Sequence, residues 1–516
     1  MNVPVQGGGP GPGPDTQDRR TTASTAGRAT PTGAIARRNA PAAGGPRDRL
    51  RRVRTAAASA VRRQPPGAWL VGLAAAVLYS VFSVTQWNLL DSPSWDLGIF
   101  TQLAKAYAGL DAPIVPIKGE GFNLLGDHFH PLLVLLAPAY ALAPSGLTLL
   151  MVQNLLFGLS VAVVTRAGMR LVSPLAGMAV GVAYALSWGL QSAVAAQFHE
   201  IAVAVPLLAL SLEALLRRRV LPAVLWGGAL VFVKEDLGLT VIALGLVVAW
   251  RLRTAAGLWL SVWGALWLII SVRLILPALN ATGQYDYSDR IDVGGMIADP
   301  AGAVVDLVSG APKHETLLLL LLAGGFVVLR SSLSLVLLPT LLWRFASGQE
   351  GYWGPEWHYS AVLMPVLFLA LGDAVHTLRR SRRGWVRAIA LIGVPGAVAA
   401  SLVLLPTQKF AVLAEPATYR QSERWDPAHR MMDLIPRGAT VESGVVLMAY
   451  LVPDTRVYWL GNTNPAPDYL IVDAEDWSWG PVRPADAEAH AEQHYPGTDY
   501  TTVFDEAGYQ LVERQR

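Results

Sequence analysis

Apolar runs of 14–21 residues, broken by short polar connections, recur from Ala68 to Leu405. They read as spans Ala68–Trp87, Gly146–Thr165, Leu175–Gln191, Ile201–Leu216, Val220–Val233, Leu237–Trp250, Ala256–Leu276, Thr316–Leu329, Ser331–Phe345, Ser360–Leu378 and Arg387–Leu405. A vertical helical span needs about 20 residues, so the shorter runs predict tilted or interrupted helices. The run Pro131–Ala143 is shorter still and predicts an interfacial or re-entrant helix. After Pro406 the period changes. ATVESG, RVYWLG, DYLIVDA and YTTVFDEAGYQLVE are short β-type runs between turn residues, and Asp426–Ile435 has helical spacing. The pattern predicts a mainly α polytopic membrane protein of about eleven transmembrane helices, residues 67–405, followed by a small α/β domain over 406–516.

Composition agrees. The chain is 53% hydrophobic and 15% charged, well below the roughly 25% charged residues of a soluble globule. It has no cysteine, which excludes disulfides, thiolate catalysis and Cys-type zinc sites. Its 17 tryptophans suit many water–lipid boundaries. No phosphate-binding glycine loop and no nucleic-acid-binding signature occurs, and no nucleic-acid partner is expected.

Charge sets the expected orientation. Residues 1–66 carry twelve Arg against Asp15, Asp18 and Asp48, a balance of +9, with almost no large apolar side chains. Such a segment cannot offset its ordering entropy and is expected to be a disordered cytoplasmic tail. Arginine pairs stand at Arg19–Arg20 and Arg62–Arg63, but the apolar run that follows has no small-residue cleavage site, which predicts an uncleaved anchor. With the amino terminus inside, the clusters at Arg166 and Arg170, Arg217–Arg219, Arg251 and Arg253, and Arg379–Arg383 all fall on the cytoplasmic side. The first external loop is then 88–145, and the terminal domain, with seventeen acids against nine bases from Pro406 onward, lies outside a plasma membrane.

The same parity gathers the chemically interesting residues on the exterior face. They are Asp96; Asp127, His128 and His130; His199 and Glu200; Lys234, Glu235 and Asp236; and His358 within EWHY. Charges at a bilayer boundary are costly to desolvate, so their clustering points to function. Asp96 follows the first span directly. A carboxylate there is a candidate general base, its pKa raised by desolvation; it is equally a candidate helix N-cap. Asp127, His128, His199 and Glu200 form a possible N,O ligand set for a divalent metal, although no established zinc spacing is present; a structural polar network, or phosphate binding by protonated histidine, fits the same residues. Three consecutive charges at Lys234–Asp236, with spans on both sides, predict a wet cavity. Arg344, near the outer end of its span, is a candidate cation for a lipid-linked phosphate or a snorkelling side chain.

At WDLGIFTQ, GDHFHP, QFHE and VKEDLG the sequence resembles a bacterial membrane family called domain of unknown function 2079, grouped by similarity with the GT-C glycosyltransferases. The resemblance implies a GT-C-like fold in which Asp96 occupies the acidic position of the first external loop. It implies juxtamembrane helices within Leu97–Ala143, and a polyprenyl-phosphate-linked sugar as donor. The chain has no clear second acid beside Asp96, and carries His358 where related families often have Arg before the aromatic residue. The expected activity is transfer of a sugar to a cell-envelope acceptor on the outer face of the membrane, with Asp96 as general base. The rival readings are a transporter or lipid flippase and a non-catalytic envelope scaffold. The one cofactor left open is the divalent metal.

Overall fold

The computed structural model describes residues 65–515, apart from 481, 482 and 485. Most of the expected basic tail, with both arginine pairs, lies outside the described residues. Among the described residues, six helices are long and apolar enough to cross a membrane: Pro66–Asn88, Gly146–Leu171, Pro174–Ala195, Ala255–Leu279, His358–Arg379 and Gly384–Thr407. Shorter apolar helices of 10–17 residues accompany them.

In chain order, α1 (Pro66–Asn88) leads into α2 (Asp96–Ala108), then α3 (Ala137–Leu142), α4 (Gly146–Leu171), α5 (Pro174–Ala185), α6 (Trp188–Ala195) and α7 (Ile201–Leu216). They are followed by α8 (Val220–Gly228), α9 (Leu237–Leu252), α10 (Ala255–Ile270), α11 (Val293–Ala298), α12 (Pro300–Val308) and α13 (Ala311–Ala323). The helical part ends with α14 (Leu338–Ala346), α15 (Leu363–Arg379) and α16 (Gly384–Leu404).

Small residues decide how these helices pack. A Cβ on Gly72 of α1 would lie 2.6 Å from the Gly158 carbonyl oxygen of α4, and one on Gly158 would lie 2.7 Å from the Ala76 Cβ. Gly72 and Ala76 thus face Gly158 and Ala162 at four-residue spacing, which brings the two backbones together where hydrophobic exclusion gives no drive. Gly245 of α9 and Gly257 of α10 repeat the device, a Cβ on either falling 2.6 Å from a carbonyl oxygen of the other helix.

Several expected elements differ in detail. Val220–Val233 is a helix only to Gly228, after which Ala229–Phe232 tightens into a 3-10 turn. Fourteen residues of α-helix cover about 21 Å, short of the roughly 30 Å hydrocarbon core. Ser332–Leu337 is likewise 3-10 before α14 begins. The run after His130 is 3-10 over Pro131–Leu136 before the single turn and a half of α3. The polar stretch from Pro277 is not a plain loop: it contains α11 and α12, and the next helix starts at Ala311 instead of Thr316.

Two ionic knots hold the helices at positions expected to be cytoplasmic. Buried Glu213 accepts from Arg166 Nε at 3.0 Å and Arg170 Nη1 at 2.9 Å. Arg251 grips Asp373 through two bonds of 2.7 and 2.9 Å, and Ser331 Oγ donates to the same carboxylate at 2.6 Å.

The carboxy-terminal segment is a five-stranded sheet in the order β2-β1-β3-β5-β4. Its strands are β1 (Thr440–Ser443), β2 (Arg456–Trp459), β3 (Tyr469–Asp473), β4 (Tyr500–Glu506) and β5 (Tyr509–Arg514). The first three are parallel, and β5 and β4 close the sheet as an antiparallel hairpin. Central β3, YLIVD, is buried throughout. The sheet docks on α2. Gln102 Nε2 donates to the Val457 carbonyl at 2.9 Å, and Lys105 Nζ donates to Val452 and Thr455 carbonyls at 2.6 and 2.9 Å. The helix that carries Asp96 is therefore fixed against the carboxy-terminal segment.

Candidate active site

A cavity of about 420 Å³ gathers ten of the residues singled out in the sequence: Asp96, Asp127, His128, His130, His199, Glu200, Lys234, Glu235, Asp236 and His358. They come from four separate connections, and within the cavity they sort into interlocking pairs.

The first pair is Asp96 and His199. Trp95 occupies the N-cap position and Asp96 is the first residue of α2, without a side-chain capping bond, so the N-cap reading of Asp96 does not hold. An acid in this first turn is favoured by the helix dipole. Its Oδ2 lies 3.4 Å from His199 Nε2, and 31% of the Asp96 side chain stays accessible. The His199 ring is aimed by its backbone. Gln197 adopts a left-handed φ of 70°, held by its Nε2 donating to the Asp91 carbonyl at 2.8 Å, and the Gln197 carbonyl oxygen lies 3.3 Å from His199 Nδ1. Burial alone raises the Asp96 carboxyl, but the facing His199 and the Ser94 hydroxyl outweigh it and hold the group well below the usual carboxylate range. The opposite happens to His199: burial disfavours its charge, and Asp96 with Glu200 more than restores it, so its pKa rises. Asp96 is therefore an ionised carboxylate facing an imidazole whose charged form it favours, not the carboxylic acid of raised pKa that desolvation alone predicts.

Glu200 and Lys234 form the second pair, Nζ to Oε1 at 2.6 Å. The third joins His128 Nδ1 to Glu235 Oε1 at 2.7 Å, while Phe129 N–H donates to Glu235 Oε2 at 3.0 Å and Tyr285 O–H to Oε1 at 3.1 Å. Asp127 is bridged by Lys118 at 3.2 Å and by the Tyr287 hydroxyl at 3.0 Å, and Tyr287 stacks on His128 with centroids 4.5 Å apart. Two groups stand apart. Burial drives His130 down to about 4, which keeps its imidazole neutral. Asp236 has a buried Oδ1 with no hydrogen-bond partner among the described residues; burial raises its pKa, Lys234 opposes this, and neighbouring Glu235 adds to the rise.

A family model described as "Predicted membrane protein (DUF2079)" matches residues 86–511. The chain belongs to this family. No curated protein matches the sequence. Among solved structures, the DUF2079 chain is similar to ArnT from Cupriavidus metallidurans bound to undecaprenyl phosphate, with a TM-score of 0.51 at 11% identity over 86% of this chain and 97% of that one. It also matches the Archaeoglobus fulgidus oligosaccharyltransferase tethered with an acceptor peptide, at a TM-score of 0.38 and 13% identity over 86% and 74% of the two chains. The fold is GT-C-like.

Two expectations for the DUF2079 chain are corrected by its side chains. Arg344 is fully buried, and its guanidinium donates to the Tyr352 carbonyl at 2.7 Å, the Gly354 carbonyl at 2.9 Å and Ser360 Oγ at 2.9 Å. That cation clamps the loop before His358 and is not available to a phosphate. Asp127, His128, His199 and Glu200 do not converge as metal ligands. Each is engaged with a different partner, and no group of three or more His, Asp or Glu placed to hold a metal ion occurs among the described residues.

Sequence reasoning also missed part of the wall. Lys118, Tyr285, Tyr287, Arg290 and Tyr352 line the cavity beside Tyr359 of the EWHY stretch. Arg290 lies over the Tyr287 ring, 5.6 Å from its centroid, and has no carboxylate partner among the described residues. The signal was present in YDYSDR (Tyr285–Arg290), where aromatic and charged residues alternate beside a span.

Proposed function

We propose that this chain transfers a sugar from a polyprenyl-phosphate donor to a hydroxyl acceptor of the cell envelope, on the outer face of the plasma membrane. The observation that carries the reading is the single cavity holding Asp96, the histidines and several cations within a GT-C-like fold. ArnT, of similar fold, is a structure bound to undecaprenyl phosphate, which supports a lipid-phosphate donor here. With the arginine clusters cytoplasmic, the cavity and the α/β domain face outward.

In this scheme the acceptor hydroxyl binds at Asp96 and its oxygen attacks the anomeric carbon. The bond from that carbon to the phosphate oxygen breaks, and its electron pair leaves with the polyprenyl phosphate. The hydroxyl proton passes to Asp96. A carboxylate held at low pKa is a weak base, but in an oxocarbenium-like transition state bond formation makes the hydroxyl proton acidic before it moves. His199 fixes the carboxylate and keeps it ionised. Arg290, without a carboxylate partner among the described residues, and Lys118 and Lys234 of the same cavity wall offset the charge that develops on the leaving phosphate. His128, its charge sustained by Glu235, contributes to the same field.

The test is transfer from a lipid-linked donor in proteoliposomes. Asp96→Asn is expected to abolish turnover with the fold intact. Unchanged transfer by that variant would remove the proposal.

A further inference from the structure

The connection between α10 and α13 carries an exposed apolar face. α11 and α12 contain no buried residue, yet their outward positions are apolar: Val293 is 58% exposed, Ile297 74%, Val304 64%, Val305 58% and Val308 54%. On α12, Ala301, Val304, Val305 and Val308 follow the i, i+3, i+4, i+7 rule and share one face. Leu307 turns inward and packs against the core, while the acids are exposed at the edge of the segment, away from the valine face. Asp292, Asp299 and Asp306 line a cleft of about 300 Å³ between these helices and Phe345 of α14. Asp292 and Asp299 are tied back as N-caps, accepting from Gly295 N–H at 2.8 Å and Gly302 N–H at 2.9 Å. A helix pair facing water alone would not present five large apolar side chains that are each more than half exposed.

We propose that Val293–Val308 lies in the headgroup–acyl boundary of the bilayer, apolar face toward the lipid, on the membrane face where the cavity opens. The occupant follows from chain continuity. The preceding span, Ala255–Leu279, is only 17% buried within the protein, and it presents Leu258, Trp259, Val262, Leu266 and Ile269 to its surroundings. The segment begins after the thirteen residues 280–292 that follow that lipid-facing span, and α13 starts three residues after it. Interfacial helices bury such a face about 5–10 Å into the boundary.

The position has a consequence for the cavity. Tyr285, Tyr287, Arg290 and Ile291 form cavity wall immediately before α11. Gly348 N–H donates to the Arg290 carbonyl at 3.0 Å. At the far end, buried Lys313 donates to the Asp306 and Phe345 carbonyls at 2.6 and 2.9 Å, which ties α12 to α14. Lipid contact on the outer face and these bonds on the inner one hold the tyrosine–arginine wall at a fixed depth relative to the membrane surface. The proposal is independent of the reaction assigned to the cavity.

Because the chain has no cysteine, single sites can be labelled cleanly. Ile297→Cys, Val304→Cys and Val308→Cys, with Asp306→Cys as the cleft-side control, would carry a nitroxide in the full chain reconstituted into phosphatidylcholine–phosphatidylglycerol vesicles. Power-saturation electron paramagnetic resonance then compares collision with oxygen, which partitions into lipid, and with a water-soluble nickel chelate. The three apolar sites are expected to show an oxygen-to-nickel ratio at least about threefold above Asp306→Cys, as burial at the acyl boundary requires. Equal nickel access at all four sites would overturn the proposal in favour of a water-exposed loop. Protection of the three from both reagents would overturn it in favour of a protein partner.

Discussion

The rings of His199 and His358 lie face to face, with centroids 3.6 Å apart and planes inclined by 26°. His199 also meets Asp96, so His358 backs the imidazole that positions the carboxylate. His358 Nδ1 is buried without a hydrogen-bond partner among the described residues, which makes its flat face, more than its basicity, the useful property. His358→Phe, which keeps a ring in that place, is expected to retain transfer within about threefold, whereas His358→Ala lets the His199 ring tilt and lowers kcat about tenfold or more. Steady-state kinetics of both variants in proteoliposomes decide it; equal losses would contradict a stacking role.

Asp96→Asn is expected to lower kcat at least about 100-fold, the low end of what a positioned acid–base group contributes. His199→Gln removes the charge facing Asp96 and releases its carboxyl toward the ordinary range. Its loss is expected to be smaller, with a new acidic limb in the pH–rate profile where Asp96 now protonates. A profile of unchanged shape would mean that His199 does not set the Asp96 ionisation.

The His128–Glu235 pair gives stability a definite pH window. Burial and Lys234 push the His128 pKa down, but Glu235 outweighs both and leaves it above 6.5. For Glu235, burial acts upward, and His128 with Lys234 brings it below 4.5. A raised imidazole pKa contributes stability that is complete below pH 6.5 and fades as pH rises through the folded value. A lowered carboxyl pKa contributes stability above pH 4.5 that fades as pH falls through its folded value. The pair therefore acts most fully between pH 4.5 and 6.5. Tm of the detergent-solubilised protein should decline above pH 6.5, and His128→Gln should flatten that decline.

Much of this was readable in the sequence because lipid imposes simple rules. Long apolar runs appear as six helices able to cross a membrane and shorter apolar ones among the described residues, and the β-type runs after Pro406 appear as β1 to β5 with turns where Pro, Gly and Asp fall. Parity brought Asp96, His128, His199 and Lys234 together, since a polytopic chain has only two faces on which polar loops can meet. Partner identity was not legible. Desolvation alone predicts a raised Asp96 pKa, and only the fold shows His199 across from it. Arg344 looked like a free cation because local sequence cannot show carbonyls ten residues away turning toward it. Arg290 was overlooked because its stretch is neither a span nor a familiar motif, and only the fold places it on the cavity wall without a carboxylate partner among the described residues.

Arg344 offers a stability test separate from chemistry. Arg344→Ala leaves the Tyr352 and Gly354 carbonyls and the Ser360 hydroxyl without their buried donor, a loss on the order of 3 kcal/mol. Lysine cannot reproduce the planar fork, so Arg344→Lys should recover only part of it. The measurement is thermal unfolding in detergent micelles. If Arg344→Ala unfolds like the parent protein while KM for the lipid-linked donor rises sharply, the residue binds phosphate after all.

The α/β domain supports the cavity through one aromatic contact beside Asp96. Trp459, at the end of β2, meets Trp95 edge to face with centroids 4.7 Å apart, and Trp95 is itself cavity wall, with Lys118 Nζ 5.0 Å from its ring centroid. Trp459→Ala removes the support on which Trp95 rests, without touching a residue assigned to acid–base work or phosphate binding. The bonds from Gln102 and Lys105 still dock the domain, so the protein should stay folded. An aromatic pair contributes about 0.5–1.5 kcal/mol beyond its buried area, enough for a three- to tenfold fall in kcat/KM if Trp95 shapes the substrate site. Arg437→Ala, which breaks an exposed pair with Asp454 whose side chains are 87% and 55% accessible, is the control on the same domain and should leave kcat/KM unchanged. Equal rates for the two variants would show that the domain holds the loop through α2 alone and that Trp95 does not help shape the substrate site.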